Sequence, residues 1–406
     1  MDDRKPYIFR TDDYGKSWMV ITGGIPAGDY VHTVREDPKR AGLLYAGTEH
    51  GVYVSFDDGD HWQSLRLDLP ETQVADLVVE ENDLVAGTHG RSFYILENLA
   101  TLRQLTPAAA EVPVSLFDPA SAVRGISQAA VDYYLAKPSD KVNIDILDAR
   151  GVVVRTFTGS VEDEKKEKKP GEGDEDSEFA GPPPVKLPTR VAGVNRFTWD
   201  LRYPGAHVFE GMILWSARPE SGPLAVPGRY QARLTANGVT LTKSFEVVKD
   251  PRLTDVSHAD LEEQFKLAIE IRDKVSEAND AVSKIRELKK QLKERSAEGK
   301  DNNINAAAER LTARLSQVEE EIYQVRNRST QDTLNFQIKL NNLIAALGRT
   351  VTTGDNKPTD QDYVVFKELN ERLASEQKKL GEALAALPEF NKLVEAKGLK
   401  PVAAAK

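Results

Sequence analysis

The sequence predicts a multidomain protein in which β-structure comes first and α-helices follow. Three observations support this fold class. A pattern of about 40 residues recurs in the first quarter of the 406-residue chain, alternating apolar runs with turn signals fill the middle, and apolar residues at steps of three and four mark the last third. We therefore expect a partial β-propeller over 1–105, an antiparallel β-sandwich over 112–250 and an antiparallel helical bundle over 254–400.

The recurring pattern is clearest in two segments. The segment 44–55 (LYAGTEHGVYVS) is echoed by 84–96 (LVAGTHGRSFYIL), and their Ala-Gly-Thr triplets start 40 residues apart, at Ala46 and Ala86. This spacing is about the length of one four-stranded propeller blade. Alternation and turn signals divide 1–105 into half a blade and two full blades, and the last strand is expected at 102–105.

A second unit, Ser/Thr-x-Asp-x-Gly-x-x-Trp, occurs at 11–18 and 55–62, with its tryptophans 44 residues apart. Its aspartate is suited to accept backbone hydrogen bonds across a tight turn, its glycine permits positive φ, and its tryptophan supplies an apolar body to wedge between sheets. We expect these positions to be structural rather than catalytic. They are Asp13, Gly15, Trp18, Asp57, Gly59 and Trp62.

Two loops that follow the Ala-Gly-Thr strands carry the candidate ligand-binding residues Glu49, His50, His89 and Arg91. A carboxylate, an imidazole and a guanidinium near one face of the ring would suit a sugar or an anionic peptide terminus. The alternative is that these side chains only hydrogen-bond the loops between blades. Glycoside hydrolysis needs two carboxylates about 5–10 Å apart. Glu49 is the one obvious candidate, so the catalytic residues stay unknown.

Residues 112–250 predict a small antiparallel sandwich of about seven strands. Hairpin turns are indicated at Asp148–Gly151 and at Asn237-Gly238. The acidic run 161–184 is rich in charge, glycine and proline, which predicts a disordered insertion, and it lacks the ligand spacing of an EF-hand calcium loop. The irregular stretch around Trp215 is expected to be a surface loop that packs on the helices or the propeller, with a binding aromatic as the alternative.

Residues 254–400 predict four helices joined by short polar breaks. Ser257 and Asp260 mark the start of the first helix, which is expected to run for about 40 residues. The apolar stripes are interpreted as core, and the alternative is that the first two helices pair with a second copy or dock on the sandwich. No cofactor or metal is expected, since His258 is the only histidine of this region and the Glu-x-x-His pattern of di-iron bundles is absent.

Composition excludes several function classes. The formal charge is −10 and the basic residues are scattered, so no nucleic-acid partner is expected. No apolar run approaches the roughly 20 residues of a membrane-spanning helix. The chain has no cysteine, which excludes disulfides and thiolate chemistry. The first residues, MDDRKPY, lack the apolar region of a signal peptide, so the product taken literally is expected in the cytoplasm.

Several segments resemble known families. The Ser/Thr-x-Asp-x-Gly-x-x-Trp units resemble Asp boxes, the BNR repeats of sialidase-like and sortilin-like propellers. The middle part is similar to the immunoglobulin-like module of flagellar hook-capping proteins, through 148–151, 197–202 and 227–230. The order of blades, sandwich and bundle resembles the C-terminal end of bacterial BNR-repeat glycosyl hydrolases or sortilin-type propeller proteins.

The resemblance implies a secreted or periplasmic parent with a large propeller and a carbohydrate-hydrolase activity. Two functions of different class follow from it. The chain is the C-terminal portion of a secreted glycan hydrolase, inactive as this fragment, in which Glu49, His89 or Arg91 would touch glycan. Alternatively, it is a non-catalytic scaffold that holds peptide or protein ligands on the propeller face, while the helical bundle self-associates or docks on another protein.

Overall fold

The computed structural model describes residues 3–161 and 186–403. Within these ranges the strands precede the long C-terminal helices, as the sequence predicts, and two short helices, which the sequence does not predict, separate β9 from β10. The strands are β1 Phe9–Arg10, β2 Met19–Val20, β3 Val31–Glu36, β4 Leu44–Thr48, β5 Val52–Ser55, β6 Gln63–Ser64, β7 Val74–Glu80, β8 Asp83–Thr88, β9 Phe93–Leu96, β10 Val114–Leu116, β11 Ala122–Val123, β12 Ala129–Leu135, β13 Lys141–Leu147, β14 Val153–Ser160, β15 Gly193–Trp199, β16 Arg202–Pro204, β17 Ser221–Leu224, β18 Gly228–Ala236 and β19 Val239–Val248.

The helices come mainly at the C-terminal end of the chain. They are α1 Ala100–Gln104, α2 Pro107–Glu111, α3 His258–Gly299, α4 Asn302–Ile322, α5 Leu340–Val351, α6 Asp360–Leu384 and α7 Leu387–Glu395, with a 3-10 helix at Thr330–Leu334. None of the helices in the described ranges is both long and apolar enough to cross a membrane. Apart from Val161, the predicted acidic insertion 161–184 lies outside the described residues. The prediction that it is disordered and lacks a calcium loop therefore stays a prediction.

Three antiparallel sheets occupy the N-terminal part, namely sheet A (β1–β2), sheet B (β3–β4–β5–β6) and sheet C (β7–β8–β9). Sheets A and B share an apolar core that includes Ile21 and Trp62, and sheets B and C share another that includes Tyr45 and Leu77. The repeated segments pair in the same register, since Ala46 lies opposite Tyr53 and Ala86 lies opposite Tyr94.

The prediction of a tenth strand at 102–105 is wrong, because the structure places Leu102 in helix α1. Leu99 is fully buried and Leu102 packs on the same core, and these two residues lie three apart, as on one face of a helix. The side chain of Asn98 accepts from the backbone N–H of Ala100 at 3.1 Å and starts this turn. Sheet C therefore has three strands.

The middle part contains sheet D (β10–β12–β15), sheet E (β11–β19–β18–β13–β14) and the two-stranded sheet F (β16–β17). Every pair is antiparallel except β11–β19. Sheets D and E bury one common core, in which Tyr133 and Trp199 are fully buried. Asn237 and Gly238 join β18 to β19 with φ of +49° and +77°, so the predicted hairpin is confirmed.

Helix α3 extends over 42 residues and begins at the predicted capping box, in which Ser257 and Asp260 bond each other's backbone N–H. Helices α4 and α5 both pack on α3, and α6 packs on α4 and α5. The apolar residues from Leu334 to Val351 predict one helix, but Leu334 ends the 3-10 helix, residues 335–339 are irregular, and α5 begins at Leu340. The apolar stripes form the core of this helical region, as predicted.

Asp132 joins the N-terminal sheets to sheet D. Its carboxylate accepts from Arg196 Nε and Nη2, both at 2.8 Å, and from the hydroxyl of Thr101 in α1. Arg196 also donates to the backbone oxygens of Glu97 and Asn98. Asp132 is 3% exposed, so this is a buried polar junction rather than a surface contact.

Candidate functional site

Polar side chains from sheets B and C meet at one end of these sheets. Strands β3 and β7 start at this end and strands β4 and β8 finish there, since Val31 pairs with Thr48 and Val74 pairs with Thr88. Three of the six histidines of the chain lie here. We call the group the loop cluster, and its members are Asp29, His32, Glu49, His50, Gln73 and His89.

A row of polar contacts connects the two repeats through this cluster. His32 Nε2 lies 3.0 Å from Glu49 Oε2 and 3.2 Å from Gln73 Nε2. When this nitrogen carries a hydrogen it donates to Glu49, and when it does not it accepts from Gln73, so it makes one of these two bonds at a time. On the other side of Gln73, its Oε1 lies 2.8 Å from His89 Nδ1. The backbone N–H of His89 also donates to the carbonyl of Gln73. The predicted residues Glu49 and His89 are thus brought together by two residues that the sequence analysis did not single out.

Asp29 holds His50, the third predicted residue that belongs to the cluster. Its Oδ1 lies 3.1 Å from both the backbone nitrogen and Nδ1 of His50. The carboxylate is 6% exposed, whereas the imidazole of His50 is 49% exposed and faces solvent. Burial and a hydrogen bond to Asp29 raise the pKa of Tyr53 to about 12. Asp29 therefore acts as an anchor, and His50 is the accessible member of this pair.

The electrostatics make Glu49 an acceptor. Hydrogen bonds from His32 and then from Tyr30 hold the pKa of the Glu49 carboxyl below its usual range. The hydrogen bond to Glu49 raises the pKa of Tyr30 in turn. Glu49 is consequently ionised at neutral pH and remains 30% exposed. It offers a charged acceptor to a ligand, and it does not hold the proton that a general acid needs.

Arg91 does not join this network. Its backbone N–H donates to Thr88 Oγ1 at 3.1 Å, and its side chain is exposed. Among contacts with the described residues, its guanidinium has no hydrogen bond and no ion pair. The structure thus brings Glu49, His50 and His89 into one cluster and leaves Arg91 as a solvent-facing cation at the same end of sheet C.

Sequence reasoning missed Asp29, His32 and Gln73. A signal was present in the sequence. Asp29 comes two residues before strand β3, Gln73 comes one residue before strand β7, and His32 is the second residue of β3. Antiparallel pairing brings such strand starts next to the ends of the neighbouring strands. The repeat marks only the strand ends, where the two copies share the Ala-Gly-Thr triplet.

The two Ser/Thr-x-Asp-x-Gly-x-x-Trp units form the same turn. Asp13 Oδ1 accepts from the backbone N–H of Ser17 at 2.8 Å, and Asp57 Oδ1 accepts from that of His61 at 2.9 Å. Gly15 and Gly59 have φ of +87° and +91°, a conformation that favours glycine. These carboxylates bond their own turns and lie outside the loop cluster.

The tryptophans of the two units differ. Trp62 is 4% exposed and its Nε1 donates to the carbonyl of Ile21 at 2.8 Å, so it fills the space between sheets A and B. Trp18 is 60% exposed, and the expectation that it wedges between sheets is wrong. In the described ranges sheet A packs on sheet B only, so Trp18 has no second sheet to pack against.

The Asp57–His61 pair gives a pH-dependent prediction. The hydrogen bond to Asp57, at 2.7 Å, raises the pKa of His61 above its ordinary value of about 6.5. The contact therefore favours the charged imidazole. Its contribution to stability is fully present below about pH 6.5 and is lost as the pH rises through the raised pKa of His61. We expect Asp57→Asn to return the pKa of His61 towards the ordinary value in an NMR titration. Asp60→Asn should change it less, and an unchanged pKa in Asp57→Asn would contradict the assignment.

The described parts of the chain contain no group of three or more His, Asp or Glu side chains arranged to hold a metal ion. Comparison with known proteins adds no family to this picture. No protein-family model matches the chain, and no curated protein matches its sequence.

Proposed function

We propose that the chain is the ligand-binding C-terminal portion of an Asp-box β-propeller protein and that the loop cluster holds a glycan or peptide ligand without reacting with it. In this proposal sheets A, B and C are propeller blades, sheets D and E are an immunoglobulin-like sandwich, and the helical region is an antiparallel bundle. The full-length parent is secreted or periplasmic. The helical bundle provides self-association or docking on another protein.

The faces of the sheets support the assignment of blades. Tyr45 and Val54 lie opposite each other in sheet B and are buried against sheet C. The equivalent pair in sheet C is Val85 and Ile95, and Ile95 is 60% exposed. Phe93, which corresponds to the buried Val52, is 76% exposed. Sheet C therefore exposes the face that corresponds to the face of sheet B that sheet C covers. Successive blades of one ring stack in this way.

The observation that carries the binding role is the row His89–Gln73–His32–Glu49. It spans the two repeats and combines an exposed imidazole, an amide and a half-buried carboxylate at one end of both sheets. Such a mixture of donors and acceptors suits the hydroxyl groups of a sugar or the polar backbone of a peptide. The contact of His32 with Glu49 and that of Gln73 with His89 already order these side chains, so little side-chain order has to be gained on binding.

The same contacts favour binding over hydrolysis. A glycosidase needs one carboxyl group with a raised pKa as the acid and a second carboxylate across the bond. Glu49 has a lowered pKa, and Asp29, the other carboxylate of the cluster, is buried and bonded to His50. Glycan hydrolysis, which the resemblance implies, is therefore a proposal for a longer parent and not for this chain.

A binding experiment tests the proposal. The purified chain is applied to a glycan array and to a random peptide library, and the best ligand is measured by isothermal titration calorimetry. We expect the double variant Glu49→Gln/His89→Ala to bind about tenfold or more weakly, because each charged or polar hydrogen bond contributes roughly 1–2 kcal/mol. The same preparation should leave a panel of nitrophenyl glycosides intact.

The matched control removes a similar pair elsewhere. His258 and Glu262 form an exposed ion pair of 3.3 Å on helix α3, so His258→Ala/Glu262→Gln changes the same residue types away from the loop cluster. Its affinity should equal that of the unmodified chain. Equal weakening in both double variants would refute the loop cluster as the site. Glycoside turnover that Glu49→Gln abolishes would instead establish a hydrolase.

A further inference from the structure

A cavity of about 950 Å³ lies between the segment 206–223, which is irregular up to the start of β17, and the helices α3 and α5. Its volume is in the range of small-molecule sites, roughly 300–1,000 Å³. Apolar side chains form a large part of the wall, among them Ile271 and Val275 from α3 and Met212 and Leu214 from the segment. No residue of the loop cluster lines this cavity, so it is separate from the site proposed above.

The lining is basic although the chain as a whole has a formal charge of −10. Among the described residues, it is lined by four arginines, Arg202, Arg218, Arg272 and Arg349, and by one carboxylate, that of Glu220. Arg272 is paired with Asp273, at 2.7 Å from Nη2 to Oδ1, and Arg218 also has a partner. Arg202 and Arg349 alone still outnumber that carboxylate. A cavity with an excess of positive charge and low-dielectric walls attracts an anion.

Backbone carbonyl groups hold two of these arginines. Arg202 Nη1 donates to the carbonyl of Gly222 at 2.8 Å. Arg349 Nη1 donates to the carbonyl of Ser216 at 2.9 Å and also contacts its hydroxyl. A carbonyl fixes a guanidinium without cancelling its charge. Since each guanidinium has five N–H donors, Arg202 and Arg349 keep donors for a carboxylate or phosphate oxygen.

The wall that faces the helices is also fixed. The backbone N–H of Trp215 donates to Asn342 Oδ1 at 2.7 Å, and Asn342 Nδ2 donates to the carbonyl of Trp215 at 2.9 Å. The backbone N–H of Ile213 donates to the hydroxyl of Tyr323 at 3.1 Å. These contacts fix the segment to α5 and to the residue after α4, so this wall of the cavity is in place before a ligand binds, which lowers the cost of binding.

We propose that this cavity binds a small organic anion with an apolar body. Its carboxylate or phosphate head is held by Arg202 and Arg349, and its hydrocarbon part lies along the half-buried Met212 and Leu214. The charge excess selects for the anionic head, and the apolar wall contributes through the area that the ligand removes from water. The proposal does not depend on the propeller assignment or on the loop cluster.

The test uses the full chain and four probes in isothermal titration calorimetry. They are 4-phenylbutyrate, 4-phenylbutyl phosphate, the neutral 4-phenylbutanol and inorganic phosphate. We expect the two aryl anions to bind at least about tenfold more tightly than 4-phenylbutanol and inorganic phosphate, and to weaken as salt rises. The two heads distinguish a carboxylate site from a phosphate site. Equal binding of the anionic and neutral probes, or no binding of any probe at millimolar concentration, would overturn the proposal.

Variants locate the binding within the cavity. Arg349→Gln and Arg202→Gln should each weaken the preferred aryl anion by about tenfold, whereas Arg314→Gln, at an exposed position of α4, should not. The fluorescence of Trp215, which lines the cavity, should change on binding, and Trp215→Phe should remove that change. If the anion binds but neither the arginine variants nor Trp215→Phe alters the signal, the site lies elsewhere and the proposal fails. The comparison of probes needs no variant, so it stands even where a substitution unfolds the chain.

Discussion

Trp62→Ala is expected to destabilise the N-terminal sheets by about 3–5 kcal/mol. The indole is 4% exposed and packs with Ile8, Ile21 and Leu44 between sheets A and B. Its Nε1 donates to the carbonyl of Ile21, so the truncation removes a large apolar body and also leaves a buried carbonyl without its donor. Urea denaturation followed by circular dichroism measures the loss, and limited proteolysis shows whether it is confined to the first 105 residues.

The second copy of the motif supplies the control. Trp18→Ala changes the same residue type in the same turn, but its side chain is 60% exposed. We expect a change within about 0.5 kcal/mol, as for surface substitutions in general. Equal losses in the two variants would show that the tryptophan acts through the turn and not through the sheet interface.

Arg124→Met is expected to cost about 3–5 kcal/mol, because it breaks a buried ion pair and leaves its partners unsatisfied. Arg124 is 3% exposed and lies where sheet E meets the helices. Its Nε donates to the carbonyl of Ala225 at 2.9 Å, its Nη2 donates to Gln264 at 3.1 Å, and its Nη1 contacts the carboxylate of Asp355. Thermal unfolding should show a lower melting temperature and an earlier separation of the middle part from the helices.

An exposed arginine serves as the matched control. Arg252 also bonds a carboxylate with two nitrogens, that of Asp250, but its side chain is 76% exposed. Arg252→Met should cost no more than about 1 kcal/mol, since water and salt screen such pairs. The double variant Arg124→Met/Asp355→Leu should lose less than Arg124→Met alone, because it removes the orphaned charge. An equal or greater loss would contradict the buried-pair explanation.

The order of β-structure and helices followed from the sequence because periodicity is a local property. Alternation located most strands, and the capping box at Ser257 located the start of α3 within the chain. The segment 102–105 was assigned wrongly because Leu102 and Leu105 fit both a short strand and a helical turn, and burial of Leu99 decides between them. Four residues are too few for periodicity to separate the two structures.

The candidate site was predicted only where the repeat marked it. Glu49 and His89 stood out because they follow the same triplet, and the structure brings them together through His32 and Gln73. These two connecting residues depend on which strand ends are neighbours, which is a matter of topology. The contrast between Trp18 and Trp62 has the same origin, since identical motifs give different burial when only one of them has a sheet to face.

The boundary between the first two parts, placed at 105–112 where the repeat pattern ends, divides a hydrogen-bond network that the protein keeps intact. Asp132 belongs to sheet D, yet its carboxylate accepts a hydrogen bond from the hydroxyl of Thr101. Its partner Arg196 donates to the carbonyl groups of Glu97 and Asn98. A fragment that starts at 112 would keep this carboxylate and Arg196 but lose their hydrogen bonds to Glu97, Asn98 and Thr101. We therefore expect the smallest piece of the middle part that folds alone to include residues 97–101, and cooperative unfolding to extend past the point where the repeat ends.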